Sequence, residues 1–397
     1  MDIRLSLRAQ SIKPSPTLSV TARANALKAD GKDILSLAAG EPDFDTPDFI
    51  KEAAIKALKD GFTKYTAVDG TPGLKKAIIK KFEHENGLSY TPDQVLVSCG
   101  CKHSIYNLFQ ALLNDGDEAI IPAPYWVSYP DMAMLAGADP VFIKTDIKDR
   151  FKITAKKLKA AITPKSKLLV LNSPSNPTGV NYTPEELRKL GEVLEEHPEI
   201  TIATDDIYEH ILWYGEFKNI VNVCPGLKDR TVVLNGVSKS YSMTGWRIGY
   251  AAGPKNLIAA MNKIQSQSTS NPTSIAQVAA QAALEGDQSF VREQCRVFKK
   301  RHDFVFARLN EMEGVWCVPA QGTFYIFPDM QGVIDRMSGI DNDIELAEWF
   351  LDQTGCAMVP GSAFGAPGCM RISFATSMQV LEDAMNRMLK ILGSKTK

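Results

Sequence analysis

Apolar and polar positions change period repeatedly through the middle of the chain. Short apolar runs at 94–98, 118–121, 140–144, 167–171, 200–204, 231–234 and 248–252 predict strands. Between them, stretches at 102–113, 129–136, 155–162 and 183–196 are amphipathic with helical spacing. The last opens Thr183-Pro184-Glu185-Glu186, a Thr N-cap with Pro in the first helical position and early acids. Strands alternating with helices predict an α/β fold, a mainly parallel sheet flanked by helices on both faces.

The two ends of the chain read differently. Residues 1–47 hold one helix candidate, 17–28, and a loop, Ala38-Ala39-Gly40-Glu41-Pro42-Asp43-Phe44. Beyond 285 a charged helical stretch runs to 313, followed by short strands at 322–328, 357–360 and 370–374 and a final helix. The expected division is 1–47 as an arm and part of a smaller α+β domain, 48–285 as the large domain, and 286–397 as a linking helix and the rest of the small domain. A chain of 397 residues is too long for one simple core, which fits this division.

Composition narrows the classes of function. There are 45 Lys plus Arg against 46 Asp plus Glu, so no excess of charge points to nucleic acid or to an anionic membrane. The seven cysteines are scattered with no C-x-x-C pair, which argues against a disulfide framework and for a reducing compartment. Cys99, Cys101 and His103 are too few and too close in sequence to predict a metal site, and none is expected. The N-terminus lacks the apolar core of a signal peptide, and no apolar run approaches the ~20 residues of a spanning helix. A cytoplasmic protein is expected.

In open α/β sheets, ligands bind outside the carboxyl ends of the strands. Four predicted strand ends carry chemistry. The strand 94–98 ends at Cys99-Gly100-Cys101-Lys102, a glycine turn opening a helix, which offers backbone N–H groups to an anion. The strand 167–171 ends at Asn172-Ser173-Pro174-Ser175-Asn176-Pro177-Thr178-Gly179, and 200–204 ends at Asp205-Asp206-Ile207-Tyr208. The strand 231–234 leads into Ser238-Lys239-Ser240-Tyr241-Ser242-Met243-Thr244-Gly245-Trp246-Arg247. Lys239 therefore sits in a hydroxyl-rich turn between strands, a setting for imine chemistry with a carbonyl. The hydroxyls and Arg247 suit a phosphate. A lysine imine beside a phosphate cradle describes a pyridoxal 5'-phosphate site.

Four motifs carry a family resemblance: Ala39 to Phe44, Pro124-Tyr125-Trp126-Val127-Ser128-Tyr129, Asn172 to Gly179, and Ser238 to Tyr250. With them the chain resembles the class I aminotransferases of pyridoxal-phosphate fold type I, from Lys13-Pro14-Ser15 to the last helix. The bacterial aspartate aminotransferase branch is the most similar. The resemblance implies that Lys239 forms the internal aldimine and moves the proton between the substrate α-carbon and the cofactor. Asp205 would pair with the pyridine nitrogen, and Tyr208 and Asn176 would hydrogen-bond the ring oxygen. Trp126 would stack on the ring. Gly100, Cys101, Ser238 and Arg247 would hold the phosphate, with Tyr65 reaching in from the second subunit of a homodimer. At Cys101 relatives often carry glycine or a hydroxyl residue, and a backbone N–H serves equally.

For substrate, the resemblance makes Arg371 the bidentate clamp on the α-carboxylate, which its planar fork suits, with Gly40 and Asn176 assisting. The partner segment 265–272 supplies no arginine for a distal carboxylate. In the branch the chain resembles, a lysine at the Lys102 position and a hydroxyl at the Thr17 position would read that carboxylate, and a flexible lysine gives looser acidic selectivity than an arginine fork. The implied reaction is aspartate:2-oxoglutarate amino transfer by a ping-pong mechanism, with aromatic amino acids or prephenate as the alternative substrates. A C–S lyase or decarboxylase fits less well, because the aminotransferase pattern is unaltered. A cofactor-binding transcription regulator would need an added DNA-binding module, and the pattern begins within the first ~20 residues.

Overall fold

Seven of the twelve strands among the described residues build the sheet that carries the site. In the computed structural model, which describes residues 3–12, 14 and 16–395, the strands are β1 (Leu35–Ser36), β2 (Val95–Ser98), β3 (Glu118–Ala123), β4 (Asp139–Lys144), β5 (Ser166–Asn172), β6 (Thr201–Asp205), β7 (Thr231–Gly236), β8 (Gly249–Ala252), β9 (Tyr325–Ile326), β10 (Cys356–Ala357), β11 (Val359–Pro360) and β12 (Met370–Ser373). Lys13 and Ser15, where the family resemblance starts, lie outside the described residues, as do Met1 and Asp2. The large sheet runs β2-β8-β7-β6-β5-β3-β4. All pairings are parallel except those of β8, which is antiparallel to both its neighbours. Because β8 reverses twice, β2 points the same way as β5, β6 and β7. Their carboxyl ends share one edge.

Both faces of this sheet are covered, as the continuous apolar runs require. Leu96, Val170, Ala203, Val232 and Leu234 pack with Ile105, Leu108 and Phe109 on one face. Their neighbours Val95, Val97, Leu169, Leu171, Ile202 and Val233 pack with Leu74, Ile78, Leu187 and Leu190 on the other. Each Val, Leu or Ile among them contributes about 1.5–3 kcal/mol on full burial. The helix Pro184–Glu195 starts as its sequence predicts, with Thr183 and Glu186 capping each other's backbone. The predicted strand 94–98 is shorter by a residue. Gln94 belongs to the turn Pro92–Gln94 and reaches back to the Thr91 N–H.

The chain ends meet beside this sheet. β1 pairs in parallel with β10, and β11, β12 and β9 form an antiparallel sheet. The helix Ser289–Glu311 packs against the helix Met378–Leu392. Ser373 donates its N–H to Leu37 O at 2.8 Å, so the Ala38–Glu41 loop is drawn alongside β12. Among the described residues, no helix is long and apolar enough to cross a membrane.

Candidate active site

The shared edge of β2, β5, β6 and β7 opens into a cavity of about 500 Å³. Lys239, Asp205, Tyr208, Asn176, Cys101, Lys102, Trp126, Ser238, Arg247, Arg371, Gly40 and Thr17 all line it. Residues separated by most of the chain thus converge. Gly100 sits just behind the lining, and Tyr65 does not reach it. In the single chain Tyr65 is 91% exposed.

Lys239 follows β7, and its Nζ donates to Gly40 O at 2.6 Å. Burial lowers the amine's pKa to about 8; Arg247 and Arg371 act in the same direction, against Glu41 and Asp205. A lysine so placed is partly neutral near physiological pH and can act as nucleophile or base.

Asp205 ends β6 and is 4% exposed. Tyr129 Oη donates to its Oδ2 at 2.6 Å, and Cys101 Sγ lies 3.7 Å from Oδ1. Asn172 Nδ2 fixes the Asp205 carbonyl at 2.7 Å. Burial raises this carboxyl's pKa, while Tyr129, the Ile207 N–H and Cys101 hold it down. Among the described residues no lysine, arginine or histidine forms an ion pair with Asp205. A buried carboxylate at the cavity wall with no ion-pair partner fits a protonated ring nitrogen.

The anion end is built from backbone and guanidinium. Gly100 has φ +89° and precedes the helix Cys101–Leu112, whose first N–H groups lack a side-chain cap. A Cβ at Gly100 would meet Arg247 Nη2 at 2.3 Å, so only glycine lets the guanidinium lie over this turn. Arg247 itself has φ +56° and is steered by Thr244 O at 2.8 Å. A non-glycine residue held in the left-handed region at a cavity wall is the kind of local strain found at binding sites. With the Ser238 hydroxyl alongside, this donor set fits a phosphate group.

Arg371 occupies the opposite wall at 2% exposure. Nη2 donates to Ala38 O at 2.9 Å and Nη1 to Asn176 Oδ1 at 3.1 Å. Its guanidinium lies 4.4 Å from the Tyr325 ring centroid and 5.1 Å from that of Phe364. Burial lowers its pKa, and its Nε has no partner among the described residues. A buried guanidinium with spare donors and no carboxylate suits a carboxylate ligand. Farther out, Lys102 Nζ lies 4.9 Å from the Trp126 ring, and desolvation followed by Arg247 lowers its pKa. Thr17 comes from the helix Pro16–Ala29 to the same wall.

Sequence reasoning missed several contributors. Tyr129 and Asn172 lie inside quoted motifs but received no role; both hold Asp205. Tyr325 lines the cavity, stacks on Arg371 and meets Tyr208 Oη at 3.3 Å. It lies in an aromatic run, Phe324-Tyr325-Ile326-Phe327, that reads as core, and nothing in its spacing sets it apart from its buried neighbours. Glu41 receives Thr244 Oγ1 at 2.6 Å, joining the N-terminal loop to the Arg247 segment.

Fold and site together bring a buried amine, a buried carboxylate and two guanidinium groups to one cavity at the carboxyl ends of the strands. The sequence model of aminotransferase class I and II matches residues 32–388, and the chain belongs to that family. It is 55% identical over 396 residues to the aspartate/prephenate aminotransferase of Nitrosomonas europaea, covering 98% of this chain and 100% of that one. The aspartate aminotransferase of Geobacillus stearothermophilus is 49% identical over 394 residues, 99% and 100% of the two chains. Among solved structures, the aspartate aminotransferase of Rhizobium meliloti superposes with a TM-score of 0.94 at 46% identity, over 98% of each chain. That of Thermus thermophilus with maleate superposes at 0.93 and 41% identity, over 98% of this chain and 100% of that one.

Proposed function

We propose that this aminotransferase binds pyridoxal 5'-phosphate and moves the amino group of aspartate to 2-oxoglutarate. The observation that carries the reading is the grouping of Lys239, Asp205, Arg247 and Arg371 around one cavity. Ser238, Arg247 and the N–H groups after Gly100 hold the phosphate. Asp205 faces the ring nitrogen, Tyr208 and Asn176 the ring oxygen, and Trp126 a ring face. Bound there, the cofactor supplies an electron sink for a carbanion. Arg371 takes the substrate α-carboxylate and orients the α-carbon toward Lys239. Lys239 Nζ then removes the α-proton. Tyr65 of a second copy completes the phosphate site, which makes the active form at least a homodimer. Its 91% exposure in the single chain supports this. Full activity in a species that sediments as a monomer would refute it.

The test is the absorbance spectrum of the protein with pyridoxal phosphate. Aspartate alone should replace the visible band by one at shorter wavelength, and 2-oxoglutarate should restore it. A visible band that ignores aspartate leaves the cofactor reading standing and removes aspartate as substrate.

Lys102 and Thr17 read the distal carboxylate of aspartate. Lys102→Ala should lower kcat/KM for aspartate about 10- to 100-fold, the effect of losing one charged hydrogen bond, and leave an aromatic donor within a few fold. Equal losses for both donors would remove Lys102 from this role. Prephenate is the second substrate we infer. The aspartate/prephenate naming of relatives at 50–55% identity and the flexible lysine at the cavity's outer wall favour it. Restoration of the visible band by prephenate after aspartate is the measurement that decides it.

A further inference from the structure

Outside the cavity lining, on the segments that follow Tyr208 and Lys239, lies a cluster of charged groups that the proposed reaction does not use. Glu85, Glu209 and His210 offer ligand atoms within 4.8 Å of one another. A cation already sits among them. Lys81 Nζ pairs with Glu209 Oε1, donates to Asn86 Oδ1 at 2.7 Å and lies 3.6 Å from Glu85 Oε2. The side chains of Lys81 and Glu209 are 2% and 4% exposed.

This cluster ties two segments together. Glu209 directly follows Tyr208 on the turn that also carries Asp205. Its Oε1 accepts from Asn235 Nδ2 at 2.7 Å, and Asn235 lies on β7, which leads to Lys239. Its Oε2 accepts from Asn86 Nδ2 at 2.7 Å. His210 makes a second bridge. Nε2 meets Glu85 Oε2 at 2.8 Å and Nδ1 meets Ser240 Oγ at 3.1 Å, one residue beyond Lys239. Burial favours the neutral form of Glu209, but Lys81, His210 and Asn86 outweigh it and hold its pKa at about 2. The neighbouring Asp206 carboxyl is pushed up by burial and by Glu209. None of Lys81, Glu85, Glu209, His210, Asn235 or Ser240 lines the cavity.

We propose that Lys81, acting with Glu209, Asn235 and His210, is a positioning device that locks the Asp205–Tyr208 turn to the Lys239 loop. A buried ion pair stabilises little by itself, since desolvation offsets the attraction. Here its geometry has a use: one carboxylate, anchored by an internal ammonium, sets the spacing between the groups that face the cofactor ring and the amine that faces the substrate.

The inference rests on the aminotransferase reading, and the test separates the two. In Lys81→Met, kcat with aspartate and 2-oxoglutarate should fall about 10- to 100-fold while KM stays within about twofold, the signature of misplaced catalytic groups. The pH midpoint of the cofactor's visible band should move by about 0.5 unit or more. Hydrogen exchange of the full chain, with and without cofactor, should speed up in 205–210 and 236–242 and stay unchanged in β3 and β4.

A second variant guards against simple instability. Lys81→Met/Glu209→Leu buries no uncompensated charge, so its melting temperature should recover toward the parent's. Its kcat and band midpoint should remain shifted, because the tie is still absent. A stable double variant with parental kcat, midpoint and exchange overturns the proposal and reduces the cluster to packing. A parent protein whose visible band ignores every amino donor overturns the aminotransferase reading instead.

Discussion

Lys239→Ala is expected to slow amino transfer from aspartate by about 10⁴-fold, the upper range for loss of a general base, with no loss of fold. Lys239 Nζ sits at the mouth of the β7 turn, tethered to Gly40 O at 2.6 Å, where a substrate α-carbon held by Arg371 would come within its reach. The other amine on the cavity wall belongs to Lys102, whose Nζ lies over the Trp126 ring at 4.9 Å and not at Gly40 O, so no second amine holds the Lys239 position. A pKa near 8 makes a usable fraction of Lys239 neutral at physiological pH, and the fraction grows as pH rises through that value. Capture of the cofactor aldehyde by the parent protein should therefore quicken with pH around a midpoint near 8. Two measurements check this: single-turnover kinetics of the variant with and without added small amines, and cofactor uptake against pH. Partial rescue by an amine such as methylamine would identify the missing group. A variant that keeps more than a tenth of the parental rate would take Lys239 out of the reaction.

Much of this site is legible in the sequence, and the reason is physical. Strands buried on both faces announce themselves as short apolar runs, and the chemistry of such a sheet gathers where those runs end. Lys239, Asp205, Asn176 and Gly100 stand at such ends. Arg371 is legible only through family resemblance, because a lone arginine in a strand is ordinarily a surface residue. Its burial against Tyr325 and Phe364 depends on a sheet assembled from distant segments. The helices Asp48–Lys59, Pro72–Asn86, Lys255–Ser268 and Ser274–Glu285 are not marked by the apolar pattern, although Thr71 caps one and Gly87 ends it in the left-handed conformation. Lys75 and Lys81 lie on the buried face of Pro72–Asn86, which blurs its amphipathic pattern. Those lysines are buried because carboxylates from elsewhere meet them: Asp69 for Lys75 and Glu209 for Lys81. The partner of Lys81 lies so far along the chain that the pairing leaves no local trace.

Charge balance around the cavity favours anionic ligands. Lys239, Arg247, Arg371 and Lys102 bring cations to one cavity, while Asp205 and Glu41 are the acids that line it. Thr244 and Arg247 hold each other and Glu41 in place, and Arg371 leans on carbonyls and aromatic faces. A phosphate and a dicarboxylate would neutralise this excess. Acidic substrates therefore suit the walls even without a distal arginine.

The same balance makes Asp205 the second position of large effect. Asp205→Asn should reduce kcat about 10³-fold, the scale of losing a preorganised electrostatic partner in a site closed to water. The variant should still bind the cofactor, because Ser238, Arg247 and the helix N-terminus are untouched. The shape barely changes, and the amide oxygen of the new side chain can still accept from Tyr129 Oη. What disappears is the negative charge opposite the ring nitrogen. Without it the nitrogen loses its proton more readily, and the ring withdraws fewer electrons from the substrate carbon. The loss should fall on kcat and leave KM for aspartate nearly unchanged, since the residues proposed to grip substrate, Arg371 and Lys102, are untouched. Stopped-flow absorbance of the first half-reaction gives the rate directly. A cofactor analogue carrying a permanent positive charge at the ring nitrogen should restore most of it. If Asp205→Asn retains a rate within tenfold of the parent, or if the charged analogue restores nothing, the carboxylate at the end of β6 serves only to anchor Tyr129.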